Sequence, residues 1–489
     1  MHAGKWWQAG DLECWPIFGS VSWDYNADIV VVGSGIAGLL ASIEAHEKGA
    51  GVLLIEMAES PFCGESAVCG GGMAIPGTEM QARQGIHDSP DSLYDDILAA
   101  GGGSNRKELV RLFTEHVGEA YSRLMELGGI CNKVGYIGGH SVFREHQHDP
   151  MQIQRALFDQ FRKRRIQSLF GKRAARFVMT PDGRRVVGIG AVDVHSGEDV
   201  MIGGKAIILA TGGMCGSPEM LARYVPNLDA LALCAAVGKS KEERPIGLGD
   251  GYRMAMAIGA DTTHMYSVST YTGIPHPERA GFSNRSRRPW IPSYQEGAIA
   301  VNSKGRRFIE ETTSPPCEIG MRMLEQPDQT LFKVCDSRMW ETITQGRAEA
   351  EVIAQGKGYL WEEDSLRKLA NAAGIDPRGL QATIDRYNLF VEEGKDEDFE
   401  RPIEYLEPID RPPFVAHQNW LIALHNSGGL RVSNRLQILH VSGKPILGLF
   451  GAGEVVGGTS GEVYLTATHY PMAMTFGYLA GGRFAISEG

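Results

Sequence analysis

The stretch DIVVVGSGIAGLLASIEAHEKGAGVLLIE, from Asp28 to Glu56, admits few folds. Asp28 to Val32 is an unbroken apolar run of strand length, Ile36 to Lys48 carries helical spacing, and Val52 to Ile55 is a second apolar run beyond Gly49 and Gly51. The pattern predicts strand, tight turn, helix and strand, with the two strands parallel. Gly33, Gly35 and Gly38 form GxGxxG between the first strand and the helix, and Glu56 closes the second strand. Each residue has a mechanical reason: Gly33 permits the turn, Gly35 lets backbone N–H groups approach a pyrophosphate, Gly38 lets helix meet strand, and the acid accepts ribose hydroxyls. In this setting the motif predicts dinucleotide binding.

A chain of 489 residues exceeds one ordinary domain of about 150 residues. Its 62 glycines stand above the usual share of about 7% and imply close backbone approaches to a ligand. A net charge of −11 argues against a nucleic acid or an anionic membrane as partner. The basic runs RKRR at 162–165 and RSRR at 285–288 are short and read as solvated faces. Cysteines at 14, 63, 69, 131, 215, 234, 317 and 335 show no CxxC and no zinc spacing, so they read as reduced, mostly buried thiols, with no metal site. No basic-then-apolar leader and no run of about 18 apolar residues occurs, and the expectation is a cytoplasmic chain without a membrane span. Trp6, Trp7, Trp15 and Trp23 read as an arm packed on the body or on a subunit partner.

Further along, ESAVCGGGMAIPGTEMQ at 65–81 is too glycine-rich for regular structure and suits backbone contact with a ligand. Ser89-Pro90 and Ser217-Pro218-Glu219 each open a helix with a cap and a first-turn proline. Residues 173–213 predict short strands joined at Asp182-Gly183 and Ser196-Gly197 and ending in KAIILATGG. GDGYRMAMAIGA predicts a glycine turn entering a helix. From about 263 to 420 prolines and mixed charge prevail, with IAVNSKGRRFIEE as a hairpin and a helix around TIDRYNLFVEEGKDEDFERP, before KPILGLFGAGE returns to a buried strand. The predicted division is an arm at 1–23, a nucleotide-binding domain at 24–262, an inserted α+β domain at 263–420, and the remainder of the first domain at 421–489.

GSGIAG, ATGG, GDG, VNSKGRRF, HNSGGL and GLFGAGE, in this order over almost the whole chain, resemble the FAD-dependent succinate dehydrogenase and fumarate reductase flavoprotein superfamily, with its 3-ketosteroid dehydrogenases as the closer branch. The resemblance implies an α/β fold, with a Rossmann-like, GR2-type FAD-binding domain and an inserted α+β substrate or capping domain. It implies that Gly33, Gly35, Ile36, Ala37, Gly38, Glu56 and Met57 hold the ADP half of FAD, and that Ser66, Gly71 and Gly72 lie along pyrophosphate and isoalloxazine. Ala210, Thr211 and Gly212 would border the adenine side, and Asp250, Gly453 and Glu454 would meet ribityl or phosphate. Members with covalent flavin carry a histidine where this chain has Ser66, so a dissociable, non-covalent FAD is expected.

The departures narrow the chemistry. Fumarate reductases place a proton-delivering arginine where this chain has Ser314, and a carboxylate-binding arginine where it has Tyr464. A dicarboxylate thereby loses the charge-assisted partners that its burial requires. A phenol suits a neutral oxygen instead. In the ketosteroid branch a C-terminal tyrosine stands by the carbonyl, and Tyr464 is the expected donor to a developing enolate oxygen, worth about 3 to 4 kcal/mol. Thr466 is a candidate to bond the phenol, and Tyr470 and His469 are candidate proton relays. His425 in HNSGGL matches a substrate-contacting histidine of the fumarate branch. The branch supplies its base as a tyrosine near the place of Ser314, absent here, and Tyr266, Tyr271 and Tyr294 stand elsewhere. Arg306 and Arg307 read as closure or surface groups.

The expected reaction is FAD-dependent desaturation of a cyclic ketone, such as a 3-ketosteroid or an oxocyclohexane carboxylate. An α proton is lost and a β hydride passes to flavin N5, with an external electron acceptor. One alternative is reduction of an enone or unsaturated carboxylate, with His425 and Arg306 or Arg307 meeting the acid. Another is an electron-transfer subunit docked through the tryptophan-rich arm. A homo-oligomer is compatible with the sequence.

Overall fold

The computed structural model describes residues 14–226, 228, 247–273, 294–314, 316–342 and 360–488. Trp6, Trp7, Cys234, the arginine run at 285–288 and the Tyr271 side chain lie outside the described residues. Two compact units divide the chain: the described residues within Met1–Pro226, Ala236–Val268 and His425–Gly489 form one, and those within Asn227–Ala235 and Ser269–Leu424 the other.

Among the described residues of the first unit, nine strands share a sheet. Its centre is parallel, with Val52–Glu56, Tyr25–Val32, Asp199–Leu209 and Pro445–Gly451 side by side. Val31 stands opposite Leu54 on one flank and Ile208 on the other. Val30, Val31, Leu53, Leu54, Ile207 and Ile208 are fully buried, and burial on both faces is why these runs are apolar without alternation. The strands' carboxyl ends, at Val32, Glu56, Leu209 and Gly451, share one edge of the sheet, where open α/β folds bind ligands. Lys172–Met179 and Val186–Asp193 continue the sheet antiparallel, turning at Gly183 and Gly197 as expected. Ile17–Phe18 adds a short edge strand. Trp23 lies over Gly188 and Gly203, whereas Trp15 is 77% exposed.

Two sequence expectations change here. The glycine-rich segment at 65–81 contains a strand, Gly72–Ala74, and a helix, Glu79–Arg83, opened by a Thr78–Gln81 capping box. Pairing of the strand with Glu145–His148 supplies the hydrogen bonds that its composition does not predict. The thiols are less buried than expected: Cys14, Cys63, Cys69 and Cys131 are partly exposed, and Cys215 and Cys335 are buried.

The second unit has a sheet of Val268–Gly273, Phe414–Asn426, Thr330–Cys335 and Ile299–Val301, with Leu360–Glu363 also paired to Phe414–Asn426. Its core joins Val334 and Ala416 to Leu369 and Ile384 of the helices Leu366–Ala373 and Pro377–Glu393. The hairpin expected over 299–311 has one strand, Ile299–Val301. Glu311 Oε1 accepts the Ala300 N–H at 3.1 Å, taking the place of a second strand's carbonyl. No helix among the described residues is long and apolar enough to cross a membrane.

Candidate active site

After Tyr25–Val32 the chain turns at Gly33, φ 104°, into the helix Ile36–Glu47. A Cβ on Gly33 would lie 2.3 Å from the Ala210 carbonyl oxygen, and one on Gly38 would lie 1.9 Å from that of Gly33. Turn, helix and neighbouring strand thus meet backbone to backbone. The helix begins at Gly35 with no side-chain cap and no acid in its first turn, so its positive end suits an anion. Ile36 N–H donates to Ser66 Oγ at 3.0 Å, which anchors the following loop. Glu56 accepts from the Ser34 N–H and O–H, each at 2.8 Å, and from Ala58 N–H at 2.9 Å. Thr211 Oγ1, at the end of Asp199–Leu209, is buried without a protein partner. A helix start without an acid, a glycine cradle, a strand-end acid and an unsatisfied hydroxyl fit FAD, and these residues would hold it.

A second layer begins at Pro445–Gly451, which ends in the turn Gly453–Val455. Glu454 Oε1 accepts from Asn426 N–H at 3.1 Å. The Asn426 side chain accepts from Met214 N–H at 2.8 Å and donates to the Tyr252 hydroxyl at 2.6 Å. Tyr252 in turn donates to the Glu454 carbonyl at 2.9 Å. Burial first, and then the Glu65 carboxyl beside it, hold the Glu454 carboxyl well above the usual range. This network fixes the backbone beside His425.

His425, Tyr464 and His469 form one ring cluster. The His425 ring meets Tyr464 edge-on, with centroids 4.2 Å apart, and lies over His469 at 3.8 Å with the planes 36° apart. Tyr464 and His469 are 5.0 Å apart at 71°. His469 opens the helix His469–Leu479, whose cap residue Thr468 turns its hydroxyl to the Leu465 carbonyl. The His469 N–H donates to the Tyr464 hydroxyl at 3.4 Å, and Ser460 Oγ lies 3.2 Å from His469 Nε2. Burial lowers the His469 imidazole from its ordinary value to about 3, so the ring is neutral at physiological pH.

The loop between Tyr464 and His469 is held from behind. Ala467 has φ 68°, an unusual conformation for a residue with a Cβ that costs on the order of 1 kcal/mol. Ala74 N–H donates to the Ala467 carbonyl at 2.7 Å, and His140 Nε2 to the Thr466 carbonyl at 2.8 Å. Asn105 Nδ2 donates to the Thr459 carbonyl at 2.8 Å. The helix His469–Leu479 lies flush on Ile36–Glu47: a Cβ on Gly477 would stand 2.3 Å from the Ala37 carbonyl oxygen. The helix carrying His469 is therefore positioned by the same helix that begins the nucleotide cradle.

The other sequence candidates fall as follows. Tyr470 donates to the Ser66 carbonyl at 3.1 Å, tying the C-terminal helix to the loop beside the cradle. Ala37 packs under Gly477, and Met57 is partly buried after Glu56. Gly71, with φ 76°, accepts at its carbonyl from the His148 N–H at 3.1 Å, and Gly72 opens the strand Gly72–Ala74. Ala210 is buried and Gly212 has φ 71°. The Asp250 carboxylate is gripped by Arg173 through two bonds of 2.8 Å. Tyr266 is 65% exposed. In the second unit, the Ser314 N–H donates to Glu310 at 3.0 Å, and Tyr294 is buried in that unit's core. Arg307 there is buried between Glu311 and Asp396 at 2.9 and 2.8 Å. Sequence reading passed over Asn426, His140, Asn105 and Arg173, whose partners lie far along the chain and leave no local pattern, and Ser460, whose partner His469 is nine residues on.

A parallel sheet with a glycine cradle at its carboxyl edge, joined to a polar ring cluster, defines a dinucleotide-binding flavoprotein. Residues 28–467 match the family model described as "FAD binding domain", and the chain belongs to that family as a flavoprotein of the fumarate reductase kind. The chain is 30% identical over 464 residues to the NADH:fumarate oxidoreductase of Klebsiella pneumoniae, which covers 94% of this chain and 47% of that protein. It thus spans about half the length of that relative. Identity to the fumarate reductase (cytochrome) of Shewanella frigidimarina is 29% over 465 residues, covering 94% of this chain and 77% of that one. Among solved structures, the 3-ketosteroid-delta4-(5alpha)-dehydrogenase of Rhodococcus jostii in complex with 4-androstene-3,17-dione has a TM-score of 0.78 and 26% identity, covering 96% of this chain and 99% of the other.

Proposed function

We propose that this flavoprotein oxidises a CH–CH bond next to the carbonyl of a cyclic ketone, or reduces the corresponding enone. The observation that carries the reading is the ring cluster: a phenol and two imidazoles, one of them held neutral by burial, stand together at 3.8 to 5.0 Å. Such groups donate to a neutral oxygen and lack the fixed charge that two buried carboxylates need. The Tyr464 oxygen accepts the His469 N–H, which sets the position of the phenol by main chain. Bound FAD would supply the hydride chemistry, while Tyr464 holds the carbonyl oxygen as an α proton is lost or gained.

The reading that uses Arg307 as a carboxylate clamp is disfavoured. Its guanidinium faces two buried carboxylates, and withdrawing it would leave both uncompensated. The names of the sequence relatives favour the reductive direction, for which the same residues serve in reverse. A cytoplasmic location fits the cysteines, none of which forms a disulfide among the described residues.

The test is anaerobic. The FAD-loaded protein is mixed with 5α-androstane-3,17-dione or with 4-oxocyclohexanecarboxylate and the flavin absorbance is followed. Bleaching supports desaturation; a flavin bleached by neither ketone, and once reduced not reoxidised by their enones, rules the proposal out.

A further inference from the structure

We infer that His469 is a second, neutral donor to the substrate carbonyl, acting beside Tyr464, with Ser460 fixing its tautomer. The inference rests on the ketone reading above and gives the His469 side chain a specific role in it.

Three placements support it. First, Ser460 is 4% exposed, and its Oγ lies 3.2 Å from His469 Nε2. A serine hydroxyl that donates to Nε2 puts the ring proton on Nδ1, where it can be donated onward. Second, His469 is the first residue of an eleven-residue helix whose cap makes no side-chain bond to its backbone. The positive end of the helix opposes an imidazolium, as does burial, so the ring works as a neutral donor and is a poor base. A neutral histidine at a helix N-terminus that polarises a carbonyl is a known catalytic arrangement. Third, His425 lies over the imidazole at 3.8 Å and against Tyr464 at 4.2 Å, bracing both rings in one orientation.

The two donors are also linked. The His469 N–H donates to the Tyr464 oxygen, which polarises the phenol proton in the same direction. Side chain and backbone of one residue would thus serve the same carbonyl, one directly and one through the phenol. The balance of the reaction is unaltered: in desaturation the substrate would lose a proton at the α carbon to solvent and a hydride at the β carbon, which bound FAD would accept. His469 neither gains nor loses a proton; it carries part of the charge that gathers on the carbonyl oxygen.

The test uses the FAD-loaded protein, with 4-androstene-3,17-dione and 2-cyclohexen-1-one as carbonyl probes and 5α-androstane-3,17-dione as reductant. Wild type, His469→Phe, His469→Gln and Ser460→Ala are compared, each checked for retained flavin. In wild type the bound enone's carbonyl stretch falls below its value in water. His469→Phe loses part of that downshift and slows flavin reduction by about 10²- to 10³-fold, the effect of one oxyanion donor. His469→Gln, which keeps an N–H donor, recovers part of both. Ser460→Ala slows reduction on the order of tenfold, the equivalent of one hydrogen bond. If wild type is active and His469→Phe leaves both stretch and rate unchanged, the inference is overturned while the ketone reading stands. If wild type shows neither a shifted carbonyl nor flavin reduction with these probes, both fall together.

Discussion

The backbone N–H of His469 points at the hydroxyl of Tyr464, 3.4 Å away, from the first turn of the C-terminal helix. A tyrosine that accepts from a helix start has its oxygen placed by main chain. That relationship ties a helix packed on the nucleotide cradle to the Tyr464 phenol.

Tyr464→Phe should keep FAD and slow reduction of the flavin by ketone by about 10²- to 10³-fold, as for loss of one oxyanion donor. Rapid-mixing absorbance at the flavin band measures it. An unchanged rate would remove Tyr464 from the reaction.

Gly477→Ala places a methyl 2.3 Å from the Ala37 carbonyl oxygen, a backbone atom that yields little. Separation of the two helices should cost about 1 to 3 kcal/mol, the range for overpacking. Urea unfolding checks it, and weakened FAD retention should accompany the loss, since Ala37 follows the first turn of the cradle.

Gly33→Ala meets the Ala210 carbonyl oxygen at 2.3 Å in a conformation with φ 104°. The variant should purify without FAD or fail to fold, whereas Gly443→Ala, at a turn with no neighbour within 4 Å, should keep the flavin. The ratio of flavin to protein absorbance distinguishes them.

Stability should fall in acid below about pH 6.5. His140 is lowered to about 4, chiefly by burial and also by Arg144, against the raising effects of the Thr466 carbonyl, Asp96 and Asp88. His469 is lowered to about 3 by burial. Between these values and the ordinary 6.5 the unfolded chain binds more protons, so stability rises with pH across that window and is lost on the way down. Each histidine adds up to about 1.4 kcal/mol per pH unit. Urea unfolding from pH 7 to 4.5 should show a shallower slope for His140→Gln than for wild type.

Legibility followed the range of the interactions. The βαβ unit is local, and Gly33, Gly38 and Glu56 stand where their spacing placed them. The strand Gly72–Ala74 was hidden because its partner, Glu145–His148, is remote and its own residues favour loops. The same holds for His140, whose bond to the Thr466 carbonyl spans most of the chain. The expected hairpin failed for a different reason: Glu311 and Arg307 turn inward to an ion pair, and the carboxylate satisfies the strand edge. Tyr464 stands out in the sequence through its difference from an expected arginine, which carries chemical meaning without structural context. Ser460 offered no such contrast.

The central claim is that the site serves a neutral carbonyl and not a dicarboxylate. It is tested most directly by reducing the FAD-loaded protein with dithionite and following reoxidation by 4-androstene-3,17-dione, 2-cyclohexen-1-one and fumarate in parallel. The prediction is that at least one enone restores the oxidised flavin and fumarate does not. Rapid reoxidation by fumarate with both enones inert would contradict it.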